Sequence, residues 1–494
     1  MVQDGYNPKK GVIIMISENI EENKQKIKSI FNNTSDLILY EFDTLSNDKA
    51  MVVYINGLID KKALDEDLIR PLIRYLVSKE DIFSTIFISN IKKIDDMSEV
   101  LQPLTDGNVV LFIEGTTSGY IFDINKWQTR GIEEPGNERV IRGPKEGFIE
   151  DIVMNKTLIR RKIRNSNLVF EDYILGSQTN TKVSLAYIEG IAKEEILDEL
   201  KKRIENITLD SILDSGYIEN CIEDAPKSLI CTIGHTEKPD VVAGRILEGR
   251  IAIICDGSPD VLTVPKVFIE NLQMAEDYYS RPQYATFIRI LRIIALFISI
   301  VLPGFLVALE TFHQEMIPTK LIMSIAKNVE GVPFTSLMEA LLMILFLEMI
   351  KESGLRIPSN IGTAVTVVSG LVLGQTAVQA GLVGPIMVII IATTGIAEFI
   401  IPEQMEMIVI YRLIILFLGG FLGLYGIACG MAMIIVHLIS LRSFGVPYMY
   451  PIAPYDKEGM KDFLFMRSRK EMNYRPRAIS NTKAKRRNEN SGKE

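Results

Sequence analysis

Glu339, Glu348, Glu398 and Arg412 occupy positions where ionisable groups are expensive: the apolar stretch from residue 287 to 440. Gln375 and Gln379 lie one helical turn apart in the same stretch. Such residues face a partner, an interhelical hydrogen bond or water, so they point to internal pairing or to ion handling. Glu339 and Glu348 are nine residues apart, about 900° of helix, so they face opposite sides and cannot both meet lipid. Carboxylates and amides facing a shared aqueous path would favour cations.

Small residues cluster around these groups. Thr363, Thr366, Gly370, Gly374 and Ala377 recur every three or four positions, a face that lets helices approach closely. Gly419, Gly420, Gly423, Gly426 and Gly430 crowd the last apolar run, and Pro303-Gly304 interrupts the first. Pro303, Gly304, Thr363, Thr366, Gly370, Gly374, Gly419, Gly423, Gly426 and Gly430 are therefore candidate hinges or close-packing points.

Other chemistry is hard to find. No G-x-x-x-x-G-K-[ST] loop is present, and Pro144 removes an amide that a phosphate nest at 142–147 would need. His235, His313 and His437 are far apart, and Cys221, Cys231, Cys255 and Cys429 lack metal-ligand spacing, so no metal site or cofactor is expected. No nucleophile–base set appears, which leaves an enzyme as the least supported class. Arg160, Arg161, Lys162 and Arg164 form a basic cluster in acidic surroundings. It is either a solvated helix face or a contact with another subunit or a lipid headgroup.

The elements that must position these groups follow from charge. The 494 residues carry a net charge of −8, with 47% hydrophobic residues, yet mean hydropathy is +0.19. Residues 1–286 hold −13, 287–440 hold −2 and 441–494 hold +7. An acidic chain of this kind is no nucleic-acid binder. Residues 293–309 are uncharged, with Arg289 and Arg292 on their N-terminal side, as the positive-inside rule expects of a cytosolic flank. Further apolar runs cover 334–350, 361–380 and 381–401, and 407–439 is long enough for one kinked helix or for a half-helix plus a span. The N-terminus lacks an apolar signal core and the tail is basic, so both termini are expected on the cytosolic side. That demands an even number of crossings: four with re-entrant pieces, or six short ones.

Ahead of the membrane part, period-2 and period-3.6 patterns alternate. They predict helices at 18–31, 61–77, 193–207 and 239–247, with strands at 50–55, 108–114, 120–124, 168–175, 183–188, 250–255 and 261–264. The expected architecture is a two-part α/β (or α+β) region followed by an all-α polytopic membrane domain. Its parts are a first subdomain at 1–130, a linker or ordered arm at 131–147, a second subdomain at 148–280, the membrane domain at 281–440 and a basic cytosolic tail at 441–494.

Longer motifs carry a resemblance. IRGPKEGFIED from Ile141, NKTLIRRKIRN from Asn155, TEKPDVVAGRILEGRIAIICDGSP from Thr236 and EDYYSRP from Glu276 resemble the A-subunit family of the GerA-type spore germinant receptors. TFHQEMIPTKL from Thr311, EGVPF from Glu330, GQTAVQAG from Gly374 and SLRSFGVPY from Ser440 extend it across residues 50 to 478. The resemblance implies a multi-pass protein of the spore inner membrane. It implies a homo-oligomeric ring whose helices line an ion channel, gated through a permease-like B subunit and a lipoprotein C subunit. The stage V sporulation protein AF-like branch, a paralogous channel subunit with a different partner, fits the same motifs. Two further functions fit a polytopic chain, a secondary transporter and a non-conducting receptor scaffold. The spans show no internal repeat that a transporter would favour.

Overall fold

The computed structural model describes residues 15–481, except 80–81, 87, 89, 126–134, 136–137, 139, 330–331, 357–369, 371, 469 and 473. Thr363, Thr366, the Glu330-Gly331 pair and the tail after 481 therefore lie outside the described residues, as does much of the 131–147 segment.

The α/β part is a structural duplication. The first half holds α1 (Ile20–Ile30), β1 (Leu37–Asp43), β2 (Lys49–Ile55), a helical stretch over residues 61–75, β3 (Ile91–Ile94), α2 (Ser98–Thr105), β4 (Val109–Ile113) and β5 (Gly119–Phe122). The second holds α3 (Ile152–Lys162), β6 (Leu168–Leu175), β7 (Thr181–Ile188), α4 (Glu194–Glu205), α5 (Ser215–Ile222), β8 (Gly234–Thr236), α6 (Pro239–Leu247), β9 (Ile251–Cys255) and β10 (Val261–Val264). The sheet orders, β1-β2-β4-β5-β3 and β6-β7-β9-β10-β8, are the same, and the paired strands are antiparallel throughout.

The polar joints repeat as well. Asn19 and Asp151 cap α1 and α3 with their side chains. Four residues on, buried Asn23 brackets Ser17 with two hydrogen bonds, and Asn155 brackets Ile149 in the same way. Glu114, just after β4, accepts from the Ile20 amide, and Asp256, just after β9, accepts from the Ile152 amide. Carboxylates at helix N-termini are favoured by the helix dipole.

The two halves are joined by the basic cluster. Arg160 is fully buried and donates to both oxygens of Asp36, 3.0 and 2.9 Å away, across the join. Its guanidinium also lies 5.1 Å from the Phe170 ring centroid. Arg164 reaches Asp106 at 3.1 Å, while Arg161 and Lys162 face Glu146 at 3.7 and 3.0 Å. These cations are engaged within the chain, and Arg160 faces neither solvent nor a headgroup.

The segment before α3 is an ordered arm where it is described. Glu138 accepts from the Thr236 hydroxyl and the Glu237 amide, and Lys238 donates to the Pro144 carbonyl. The described tail likewise belongs to the second half instead of standing apart as a domain. Phe444, Val446, Tyr450, Phe463 and Ile479 are buried in that half's core, and Lys193 holds the Ala478 carbonyl at 2.7 Å.

The helical region comprises α7 (Pro282–Phe312), α8 (Thr319–Val329), α9 (Ser336–Arg356), α10 (Pro385–Phe399) and α11 (Met405–Ser440), with 372–379 also helical. Two helices, Pro282–Phe312 and Pro402–Ser440, are long and apolar enough to cross a membrane, and Pro385–Phe399 is a shorter apolar helix. The long final helix is not straight. Gly423 has φ 60° and ψ −148°, a conformation close to glycine-only territory. A Cβ on Gly430 would lie 2.7 Å from Ile415 and Leu418 side chains. In a straight helix residues 415 and 430 would stand about 22 Å apart, so α11 doubles back at Gly423. It forms a hairpin of two arms, each about 26 Å long. Neither reading of 407–439, a kinked helix or a half-helix with a span, anticipates that reversal.

The first arm of α11 runs alongside α7 in the same direction. Ser299 meets Arg412, Gly304 packs backbone-to-backbone on Gly419, and Phe312 and His313 close on Gly423. Pro303-Gly304 is therefore a packing point between these helices. The second arm returns, and His437 meets Ser228 of the second α/β half at 3.0 Å. The chain enters and leaves the helical region at the same end.

Two outcomes check this architecture. Asp36→Ala leaves Arg160 buried and unpaired, and is expected to destabilise the protein by about 3–5 kcal/mol in denaturant unfolding. Burial raises the Glu138 carboxyl to about 6, above its unfolded value, so its contribution is fully present below about pH 4.5 and is lost as pH rises through 6. The thermal midpoint of wild type relative to Glu138→Gln should fall across that window, a difference of up to about 2 kcal/mol.

Candidate functional site: a charge lock inside the helical region

Arg412 is fully buried on the first arm of α11. Its Nη2 donates to Glu398 Oε2 at 2.5 Å, its Nη1 to Glu348 Oε1 at 3.2 Å and its Nε to the Ser299 carbonyl at 2.8 Å. Lys351 closes the ring, 2.7 Å from Glu398 Oε1 and 2.7 Å from Glu348 Oε2. Two acids and two bases from α9, α10 and α11, with a carbonyl of α7, thus form a neutral cluster across four helices. Glu348 and Lys351 share a face because they are three residues apart on α9. A buried charge is retained only when it is paired and hydrogen-bonded in this way.

Glu339 lies elsewhere. It is 2% exposed, and its Oε2 accepts the Gly384 amide at 2.8 Å, at the N-terminus of α10. The helix dipole favours an anion there. Gln375 and Gln379 are exposed on the helical segment 372–379, while Gly374 and Ala377 are buried on its other side, Gly374 facing Val388. The six polar candidates therefore separate into a lock (Glu348, Glu398, Arg412), a helix-end contact (Glu339) and an outward polar pair (Gln375, Gln379). Two of the three carboxylates expected to attract cations, Glu348 and Glu398, are neutralised within the lock.

A second ionic joint anchors the start of α7. Asp277 binds Arg292 through both oxygens, at 2.7 and 3.1 Å, and Arg289 at 3.1 Å. Arg289 also donates to Asp462 and to the Phe463 carbonyl, at 3.1 and 2.8 Å. The two arginines on the N-terminal side of the first apolar run join the second half, the first long helix and the tail. Among the described residues, no group of three His, Cys, Asp or Glu side chains could hold a metal. Burial pushes the thiols of Cys231 and Cys255 up to about 12, which leaves them protonated and unreactive.

The family model for the Bacillus/Clostridium GerA spore germination protein matches residues 25–478. The chain belongs to the GerA family. Spore germination protein KA of Bacillus subtilis (strain 168) is 43% identical over 462 residues, 92% of this chain and 85% of that one. The uncharacterized membrane protein YfkQ of the same organism is 38% identical over 460 residues, 92% of this chain and 90% of its own. The crystal structure of the N-terminal domain of the A subunit of the Bacillus megaterium spore germinant receptor GerK3 is 31% identical, covers 52% of this chain and 99% of that one, and has a TM-score of 0.41.

In this GerA-family chain, sequence reasoning missed Lys351 and Asp277. Lys351 sits one position beyond the apolar run ending at 350, and its spacing from Glu348 is the signal that exposes it. Asp277 lies within the EDYYSRP motif, but nothing local shows that two arginines a helix away converge on it.

Replacing Arg412 by Leu leaves Glu398 without its closest cation and is expected to destabilise the protein by about 3–5 kcal/mol. The pair Arg412→Leu with Glu398→Leu should be less destabilised than the single change. Thermal unfolding of the detergent-solubilised chain measures both.

Proposed function

We propose that this chain is the A subunit of a spore germinant receptor of the dormant spore's inner membrane, with both termini on the core side. It assembles into a homo-oligomeric ring whose shared axis carries ions, and a permease-like B subunit and a lipoprotein C subunit gate it. A paralogous role, amplifying ion release with a different partner, uses the same architecture.

The observation that carries this reading is the outward polar pair. Gln375 and Gln379 stay exposed on a helical segment in an otherwise apolar region, while the charged residues nearby are consumed in the lock. Amides facing lipid are unfavourable, whereas amides facing a common aqueous axis are solvated and can contact passing ions. The lock then works as the closed-state restraint. Partner engagement shifts an existing closed–open equilibrium by favouring the arrangement in which the helices joined at Arg412 separate.

Gln375→Leu with Gln379→Leu should reduce ion flux at least tenfold in liposomes loaded with an ion-sensitive dye, without loss of folding by circular dichroism. Unchanged flux in the folded variant would remove these residues from the pathway.

A further inference from the structure

The tail lies along the start of α7. The Met466 amide donates to the Thr286 hydroxyl at 3.1 Å, Arg289 donates to the Phe463 carbonyl at 2.8 Å, and Met466 is buried against Ala285. These contacts hold residues 463–466 level with the first turns of α7. Phe463 and Met466 are buried, whereas Phe465 between them is 63% exposed.

The same turns of α7 carry an outward apolar face. Tyr284 and Phe287 are 60% and 62% exposed, and exposed apolar residues continue through Ile294 and Phe297 to Phe312. From Tyr284 to Phe312 the helix rises about 42 Å. A bilayer with its headgroup regions measures about 40–45 Å. A helix that uses this whole face in lipid places Tyr284, Phe287 and, level with them, Phe465 at headgroup depth. Exposed apolar patches rimmed by polar residues mark contacts with a membrane or a protein, and a face as long as a bilayer is thick favours the membrane.

Cations rim the patch. Arg281 precedes α7, Arg467 and Lys470 follow Phe465, and all three are exposed. Arg467 stands 3.6 Å from Glu471, a contact between two exposed side chains that water and salt screen. Arg289 and Arg292, in contrast, are buried and bound to Asp277 and Asp462. Aromatic rings concentrate at membrane–water interfaces, and basic side chains there attract anionic headgroups.

We infer that Phe465, Arg467 and Lys470 form an interfacial anchor beside the start of α7, the ring among the headgroups of the core-side leaflet and the two cations on anionic lipid. The inference rests on the membrane reading above and extends it from the helices to the tail. It needs neither a ring nor ion flux.

The test uses the full chain with its single tryptophan replaced, Trp127→Phe, carrying either Phe465→Trp or Phe297→Trp, in vesicles of phosphatidylcholine and phosphatidylglycerol. Phosphatidylcholine brominated near the headgroup should quench the fluorescence of Phe465→Trp more than lipid brominated deep in its chains. Phe297→Trp, about 20 Å along α7 from Tyr284, should show the reverse. Energy transfer from Phe465→Trp to pyrene-labelled phosphatidylglycerol should exceed that to pyrene-labelled phosphatidylcholine about twofold, and Arg467→Gln with Lys470→Gln should remove the difference. Quenching of Phe297→Trp but not of Phe465→Trp would overturn the anchor and leave the membrane reading standing. Quenching of neither would overturn both. Equal transfer to the two pyrene lipids before the cations are replaced would overturn the assignment to anionic headgroups.

Discussion

A guanidinium with no exposed surface must be matched inside the protein, and Arg412 imposes that condition on the whole helical region. Its three nitrogens engage α7, α9 and α10 at once, and Lys351 balances the second acid. The apolar surfaces of these helices could slide against one another with modest loss, since apolar packing is non-directional. The charged ring cannot, because each oxygen and nitrogen has a specific partner. Close backbone approach at Gly304 and Gly419 lies on the same pair of helices, and the reversal at Gly423 brings α11 back to its starting end.

The α/β part solves a different problem with repeated parts. Each half closes a five-stranded sheet with the same capped helix, the same bracketing asparagine and the same carboxylate at the helix start. The halves differ where they connect to the rest. The first meets the second through Asp36 and Arg160, whereas the second receives the tail and, through Asp277, the start of α7. The second half is therefore tied to α7 by ion pairs and to the tail by a shared apolar core.

What the sequence reveals depends on how local the cause is. Residues 239–247 and 194–205 are legible because apolar spacing and flanking residues act within one helix. The duplication is hidden because it rests on a few polar joints, such as Asn23 and Asn155, scattered among dissimilar apolar residues. The hairpin in α11 is hidden because hydropathy is continuous through it, and only the density of glycines hints at a bend. The basic cluster looks like a solvated face because Asp36 lies 124 residues from Arg160. Among the polar membrane candidates, residue type was legible but partnership was not. Acidic side chains resemble pore groups until Lys351 and Arg412 are seen between them.

Identical copies sharing one axis would give Gln375 and Gln379, exposed among the described residues, a common aqueous path to face. Native mass spectrometry of the detergent-solubilised protein addresses that most directly. A closed ring around a channel requires one dominant species at a whole multiple of 55.6 kDa, at least three copies. A species that remains a single chain, alone or bound to one copy of each partner subunit, would contradict it.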